Sequence, residues 1–190
     1  MSSKQAIDEH TMCQRISEGD PAAFERFFDA YYQPIYRFFR QRGIERIDAE
    51  DLAQDVFVNV WKHRLNIDPK QSLRGYLFAA AYNRLKMHFR SKASLDANQE
   101  RFAIEQGTAS EKPIEEFDVN EHINKAVREL PEFQKAVFVM HRYDGLSYKE
   151  IAQVLNIATK TVEGRMSRAL KSLRTALRHL LSLIAVALTL

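Results

Sequence analysis

The chain has 190 residues, 45% of them hydrophobic and 28% charged, with a formal net charge of +3 at pH 7. This composition excludes a globally disordered chain, and the length allows one domain or a pair of small helical units. The single cysteine, Cys13, excludes an intramolecular disulfide and a multi-cysteine zinc site, and reads as a small core or surface residue.

Met1 to Ala6 carries no basic start followed by an apolar core, so a cytoplasmic protein is expected. A sequence pI near 9.0 is too mild to argue for nucleic acid alone, but the charge is unevenly placed. Arg84 to Lys92 and Lys160 to Arg178 are basic, and they flank an acidic stretch from Asp96 to Glu121.

The first helical signal in chain order is Asp20-Pro21, an aspartate able to cap free amides followed by a proline suited to a first turn. Phe24, Phe27, Phe28, Tyr31, Tyr32, Ile35, Tyr36 and Phe39 then recur at helical spacing as a core stripe. Pro34 is expected to kink or interrupt the helix and Gly43 to stop it. A second helix is predicted from Asp48 to about Arg64, with Leu52, Val56, Phe57, Val60 and Trp61 along it and Asp51, Gln54 and Asp55 on its other face. Asn66 to Gln71 reads as a loop, and a third helix is expected from Ser72 to Ser91.

Periodicity fades from Leu95 to Asp118, where Gly107, Ser110, Pro113 and acidic residues mark a linker. Helical patterning returns in Val119 to Leu130, Pro131 to Tyr143, Ser147 to Leu155, and from Thr159 onward. No segment alternates long enough to make a convincing strand. The expected fold is all-α: two small helical domains, residues 1–94 and 119–190, joined by an acidic linker at 95–118.

The sharpest local signal is a helix-turn-helix between Leu146 and the helix that starts near Thr159. Ser147 and Glu150 have the spacing of a capping box, and Ile151 and Leu155 fall on one face. Small Ala152 lets the next helix cross closely, and Asn156-Ile157 makes the turn with Ile157 plugging the core. The following helix is expected to bury Val162, Met166, Ala169, Leu170 and Leu173. Its N-terminal half would then enter a major groove while its basic residues contact phosphates.

Leu130-Pro131-Glu132, Tyr143 to Ala152 and Thr161 to Leu170 resemble region four of extracytoplasmic-function sigma factors of bacterial RNA polymerase. Asp51-Leu52-Ala53-Gln54-Asp55-Val56-Phe57 through Trp61 resembles region two of the same family. The resemblance runs from Phe24 to Arg174, and it implies a factor that binds core polymerase, directs promoter recognition and helps open DNA. It implies core-polymerase docking, on the clamp helices of the largest subunit, through Asp51, Leu52, Gln54 and Asp55. It implies minus-ten contacts to duplex and melted promoter DNA by Asn66, Lys70, Tyr76, Asn83, Arg84, Lys86 and Arg90, with the loop from Asn66 to Ser72 helping to capture an unstacked base. It places minus-thirty-five contacts at Tyr148, Lys160, Thr161, Glu163, Gly164, Arg165, Ser167, Arg168 and Lys171. It also implies an anti-sigma protein partner, often membrane-bound in the family.

The chain departs from the family where Tyr76 replaces a common tryptophan and Met87 a common acidic or amide residue. Glu163 and Gly164 stand where a basic and a small polar residue are frequent, and Ala158 stands where a capping serine is common, leaving Thr159 as the substitute cap. Tyr76, Phe78 and Tyr82 suit a stacking platform, yet core packing is the expected fate for most of them.

The competing reading is a stand-alone helix-turn-helix regulator that binds an operator tightly without polymerase. It leaves Asp51, Gln54 and Asp55 unexplained. Six scattered histidines show no metal-ligand spacing, and neither a nucleophile motif nor a phosphate-binding glycine loop is present, so no catalytic residue, metal or cofactor is expected. The apolar end from Leu180 to Leu190 is far shorter than the ~20 residues of a spanning helix, so membrane insertion is not expected. It is expected instead to extend the last helix and to pack against region four or a partner.

Overall fold

A computed structural model of the chain describes residues 9–69, 71–95 and 119–178. All regular structure among them is helical: α1 (Glu9–Ser17), α2 (Pro21–Arg40), α3 (Arg46–Lys62), α4 (Leu73–Leu95), α5 (Val119–Arg128), α6 (Glu132–Arg142), α7 (Tyr148–Leu155) and α8 (Thr159–Ala176). A single 3-10 turn, Arg64–Asn66, follows α3. The chain divides into two compact units, one founded on α1 to α4 and the other on α5, α6, α8 and the start of α7. The expectations for Lys70, for the acidic stretch 96–118 and for the tail from Leu180 fall outside the described residues.

In the first unit, Asp20 caps α2 as its sequence indicates. Its Oδ1 accepts from the amides of Ala22 at 2.9 Å and Ala23 at 3.2 Å, and its Oδ2 accepts from Arg15 Nε at 2.8 Å. Pro34, expected to kink or interrupt the helix, does not interrupt it: α2 is continuous from Pro21 to Arg40. An interior proline costs about 3 kcal/mol. Ile35, Phe38 and Phe39 are all buried immediately after it, and each such side chain contributes about 1.5–3 kcal/mol, so burial outweighs the lost backbone bond. Gly43 ends the segment with a φ of +77° that favours glycine, and the chain returns through an Ile44 amide bond to the Phe39 carbonyl at 3.3 Å.

The centre of this unit is an aromatic cluster between α2 and α3. The Phe57 ring lies 4.8 Å from Phe28, 5.8 Å from Phe27 and 6.4 Å from Phe24, with all three pairs edge-on. Edge-to-face geometry places a positive ring edge on a negative ring face. Phe38, absent from the predicted stripe, is fully buried and meets Phe78 of α4 edge-on at 5.8 Å. Phe24, Phe28, Tyr31, Tyr32 and Tyr36 are only half-buried, so the stripe has a wetter margin than its periodicity indicated.

Two predicted helices have shifted bounds, and a third difference is an additional helix. Helix α3 starts at Arg46 rather than Asp48 and ends at Lys62, and α4 continues past Ser91 to Leu95. The third difference is α1, which the sequence pattern did not reveal and which is anchored by buried Cys13 and Ile16. Burial raises the Cys13 thiol pKa, with the carboxylates of Glu9 and Asp68 adding to the effect.

In the second unit, α8 buries Val162, Met166, Ala169 and Leu173. Ala169 and Leu173 pack with Ala126, Val127 and Leu130, and Ile123, Phe138, Val139 and Leu177 close around them. Leu170, expected inside, is 48% exposed. It is displaced because the buried row follows positions 162, 166, 169 and 173.

The Asp20 carboxyl is held below the usual carboxylate range, first by the Arg15 hydrogen bond and then by the Ala23 and Ala22 amides. A depressed folded pKa contributes stability above the unfolded value near 3.9, and that stability is lost as pH falls through the folded value. Asp20→Ala should therefore lower the thermal midpoint at pH 7, and the gap to wild type should narrow as circular-dichroism melts are taken below about pH 4.

Candidate docking face and nucleic-acid interface

The aromatic cluster fixes the rotation of α3 and thereby decides what it shows to solvent. Ala49, Leu52, Ala53, Val56, Phe57 and Val60 point inward, and Asp51, Gln54 and Asp55 are exposed. Leu52 is a correction to the expected docking set: only 4% exposed, it holds α3 in place rather than presenting a contact. Beside Gln54 lies an open, mainly apolar groove walled by Phe24, Phe28, Phe57, Val58 and Trp61.

Asp55 and Arg84 had been expected to face different partners, but the structure pairs them. Arg84 Nε donates to Asp55 Oδ2 at 3.1 Å, and Arg84 Nη2 donates to the same oxygen. The side chains remain 52% and 38% exposed, so the pair is screened by water and either group can exchange it for another contact.

Helix α4 carries Tyr76, Asn83, Arg84, Lys86 and Arg90 of the expected minus-ten set. Asn83, Lys86 and Arg90 are exposed, with Lys86 Nζ 4.8 Å from the Tyr82 ring centre. Tyr76 is half-buried, and burial raises its hydroxyl pKa. Of the three aromatics, most of which were expected in the core, only Phe78 is buried; Tyr76 and Tyr82 are half-buried. Asn66 is exposed at the end of the 3-10 turn, and Ile67 behind it is buried and anchors the loop. The signal for exposed Phe89 and Met87, at 41% and 58%, lay in their position among basic residues.

The helix-turn-helix forms as its sequence specifies at its start. The Ser147 amide donates to Glu150 Oε2 at 2.7 Å, and the Glu150 amide donates to Ser147 Oγ at 3.3 Å. Asn156 makes the turn with φ of +52°, a conformation that asparagine tolerates better than most residues. Two inward positions are corrected. Ile151 is fully buried, but Leu155 and Ile157 are only half-buried, and Val154 is the buried residue near the end of α7. The proposed Thr159 cap is also corrected: Ala158 occupies the cap position of α8 and no side chain bonds there.

On α8, Lys160, Thr161, Glu163, Ser167, Arg168 and Lys171 are exposed. Arg165 is half-buried, its guanidinium 4.7 Å from the ring centre of Phe133 on α6. Phe133 is 66% exposed and was missed by sequence reading, because an exposed aromatic gives no periodic signal. Tyr148 is half-buried against His141 at a ring separation of 5.1 Å. A Cβ added to Gly164 would meet only Arg168 Nη2, at 3.9 Å, so no internal packing requires glycine.

Among the described residues, no group of three His, Cys, Asp or Glu side chains is placed to hold a metal ion, and no helix is long and apolar enough to cross a membrane.

Comparison with known proteins defines the class. A Sigma-70 region 2 family model matches residues 27–95, and a Sigma-70, region 4 model matches residues 121–173. The ECF RNA polymerase sigma factor SigW of Bacillus subtilis is 27% identical over 179 residues, covering 88% of this chain and 95% of its own. The solved structure of CnrH in complex with the cytosolic domain of CnrY superposes with a TM-score of 0.63 at 24% identity, covering 90% of this chain and 97% of that one. The sigma factor RpoE in complex with the anti-sigma factor NepR, from Bartonella quintana, gives 0.62 at 21%, covering 82% and 96%. The chain belongs to the extracytoplasmic-function group of RNA polymerase sigma factors, with regions two and four both present.

Two outcomes follow for the free protein. A double-mutant cycle of Asp55→Ala and Arg84→Ala in urea unfolding should give a coupling energy of about 0.2–1 kcal/mol, the range for exposed pairs. Gly164→Ala should raise stability by about 0.5–1 kcal/mol, measured the same way, because α8 has room for the methyl group.

Proposed function

We propose that Asp51, Gln54 and Asp55 form the face through which this sigma factor docks on core polymerase, and that α4 and α8 read the minus-ten and minus-thirty-five promoter elements. The observation that carries the reading is the exposure of these three polar residues on a helix whose opposite side is locked into the aromatic core. A rigid helix presenting two carboxylates and an amide suits a partner with basic or donor groups, where charge complementarity sets register and encounter rate. The adjoining groove of Phe24, Phe28, Val58 and Trp61 gives that face an apolar component.

Exposed Asn83, Lys86 and Arg90 on α4 suit a melted strand, with cations tracking phosphates and polar groups meeting unpaired bases. On α8, Lys160, Arg168 and Lys171 supply phosphate contacts. Glu163 can accept from cytosine N4 in a major groove. Gly164, free of any internal packing role, permits the DNA backbone to come close to the helix.

Opening DNA in this scheme needs no bond-making residue and no bound nucleotide, because contacts with core enzyme and the unpaired strand offset the unstacking. The chain therefore acts without catalysis of its own, in the cytoplasm where polymerase and DNA are found. An anti-sigma protein that covers the α3 face would hold it inactive. The complex of RpoE with NepR supports this partner class by analogy of fold.

Run-off transcription with purified core polymerase on a promoter-fragment library tests the reading. Wild type should start transcripts, and the triple variant Asp51→Ala/Gln54→Ala/Asp55→Ala should lose more than about 90% of them, an effect of about 1.4 kcal/mol or more on docking. Tight duplex binding by the free protein with no initiation would favour the stand-alone operator-binding regulator instead.

A further inference from the structure

Helix α1 lies outside the residues matched by the region 2 family model, which begins at residue 27, and the functional reading gives it no task. Its first residue nevertheless reaches across the unit. Glu9 Oε1 accepts a hydrogen bond from Ser72 Oγ at 2.9 Å and another from the Arg74 amide at 3.1 Å. Ser72 Oγ in turn accepts from the Gly75 amide at 3.1 Å. Next to Glu9, His10 Nδ1 lies 3.2 Å from the Pro69 carbonyl oxygen, a hydrogen bond when that nitrogen carries the proton.

We propose that α1 is a positioning element for the minus-ten loop and the first turn of α4, acting through the Glu9 carboxylate. The inference rests on the functional reading of that loop. Its physical basis is the start of α4. The first amides of a helix have no partner within the helix and carry a partial positive charge, so they favour an anionic acceptor. Glu9 supplies one at the Arg74 amide. It also draws the Ser72 hydroxyl proton toward itself, which turns a lone pair of Ser72 Oγ to the Gly75 amide.

The loop is thus pinned from several sides. Ile67 is buried at its start, the Gln71 amide donates to the Asp68 carbonyl at 3.0 Å within it, and Glu9 and His10 hold its later part. Cys13 and Ile16, the buried residues of α1 itself, keep Glu9 from swinging away. A loop held on both sides of residue 70 loses less freedom when it receives an unstacked base, so pinning favours strand capture. Glu9 touches no DNA in this scheme. It acts through Ser72 and the α4 backbone.

The test uses the full chain with core polymerase and a promoter obtained by run-off selection, and reads promoter opening with a fluorescent base analogue and core affinity by anisotropy. Glu9→Ala should slow opening about fivefold, the effect of one hydrogen bond of typical net strength, while core affinity stays within about twofold of wild type. Glu9→Gln should recover most of the rate, because its side-chain oxygen still accepts both bonds.

Opening at the wild-type rate in Glu9→Ala would overturn the proposal, as would an equal fall in opening and core affinity, which marks a general folding defect. Failure of Glu9→Gln to recover would overturn the hydrogen-bonded positioning role. A wild-type protein that neither binds core nor opens the promoter would sink the functional reading and this inference with it.

Discussion

The contact on which the first unit depends is the packing of Phe57 against Phe24, Phe27 and Phe28. A helix that can rotate about its axis offers no fixed face. Burying Phe57 with Leu52, Val56 and Val60 removes that freedom from α3 and leaves Asp51, Gln54 and Asp55 on its outer side. The same core reaches α4 through Phe38 and Phe78, so the outer sides of α3 and α4 are carried by one packed body. The Asp55–Arg84 pair bridges the two faces at the surface. It is too exposed to add much stability, and its consequence is geometric: an α3 carboxylate and a basic α4 residue share one contact.

The second unit is held by a different constraint. Its core row of Val162, Met166, Ala169 and Leu173 follows a helical stripe and leaves an outer face of mostly charged and small residues, interrupted by Leu170. The capping box at Ser147 sets where α7 begins, and the left-handed Asn156 sets where it ends. Phe133 adds a restraint on Arg165 from outside the helix-turn-helix.

Much of this was legible in the sequence where local chemistry decides structure. The Asp20 cap, the Gly43 stop, the Ser147–Glu150 box and the outward trio on α3 are each dictated by neighbours a few residues away. Features set by distant contacts were not. Pro34 reads as an interruption because the burial of Ile35, Phe38 and Phe39 that overrides it depends on other helices. Helix α1 has only Cys13 and Ile16 as buried anchors, too few for a periodic signal. The Arg84 pairing and the Glu9 contact join residues 29 to 65 positions apart, beyond the reach of any local pattern. Leu52 was carried into the docking set by its place in a motif, and burial assigns it to the core.

The central claim is that the outer side of α3 meets polymerase, and site-specific photo-crosslinking tests it most directly. A photoreactive amino acid placed at Gln54, which is exposed and bounds the groove, would be activated in a mixture of the protein, core polymerase and promoter DNA. The account predicts a crosslink to the largest polymerase subunit. A crosslink to DNA alone, or no crosslink to polymerase while transcription proceeds, would contradict it.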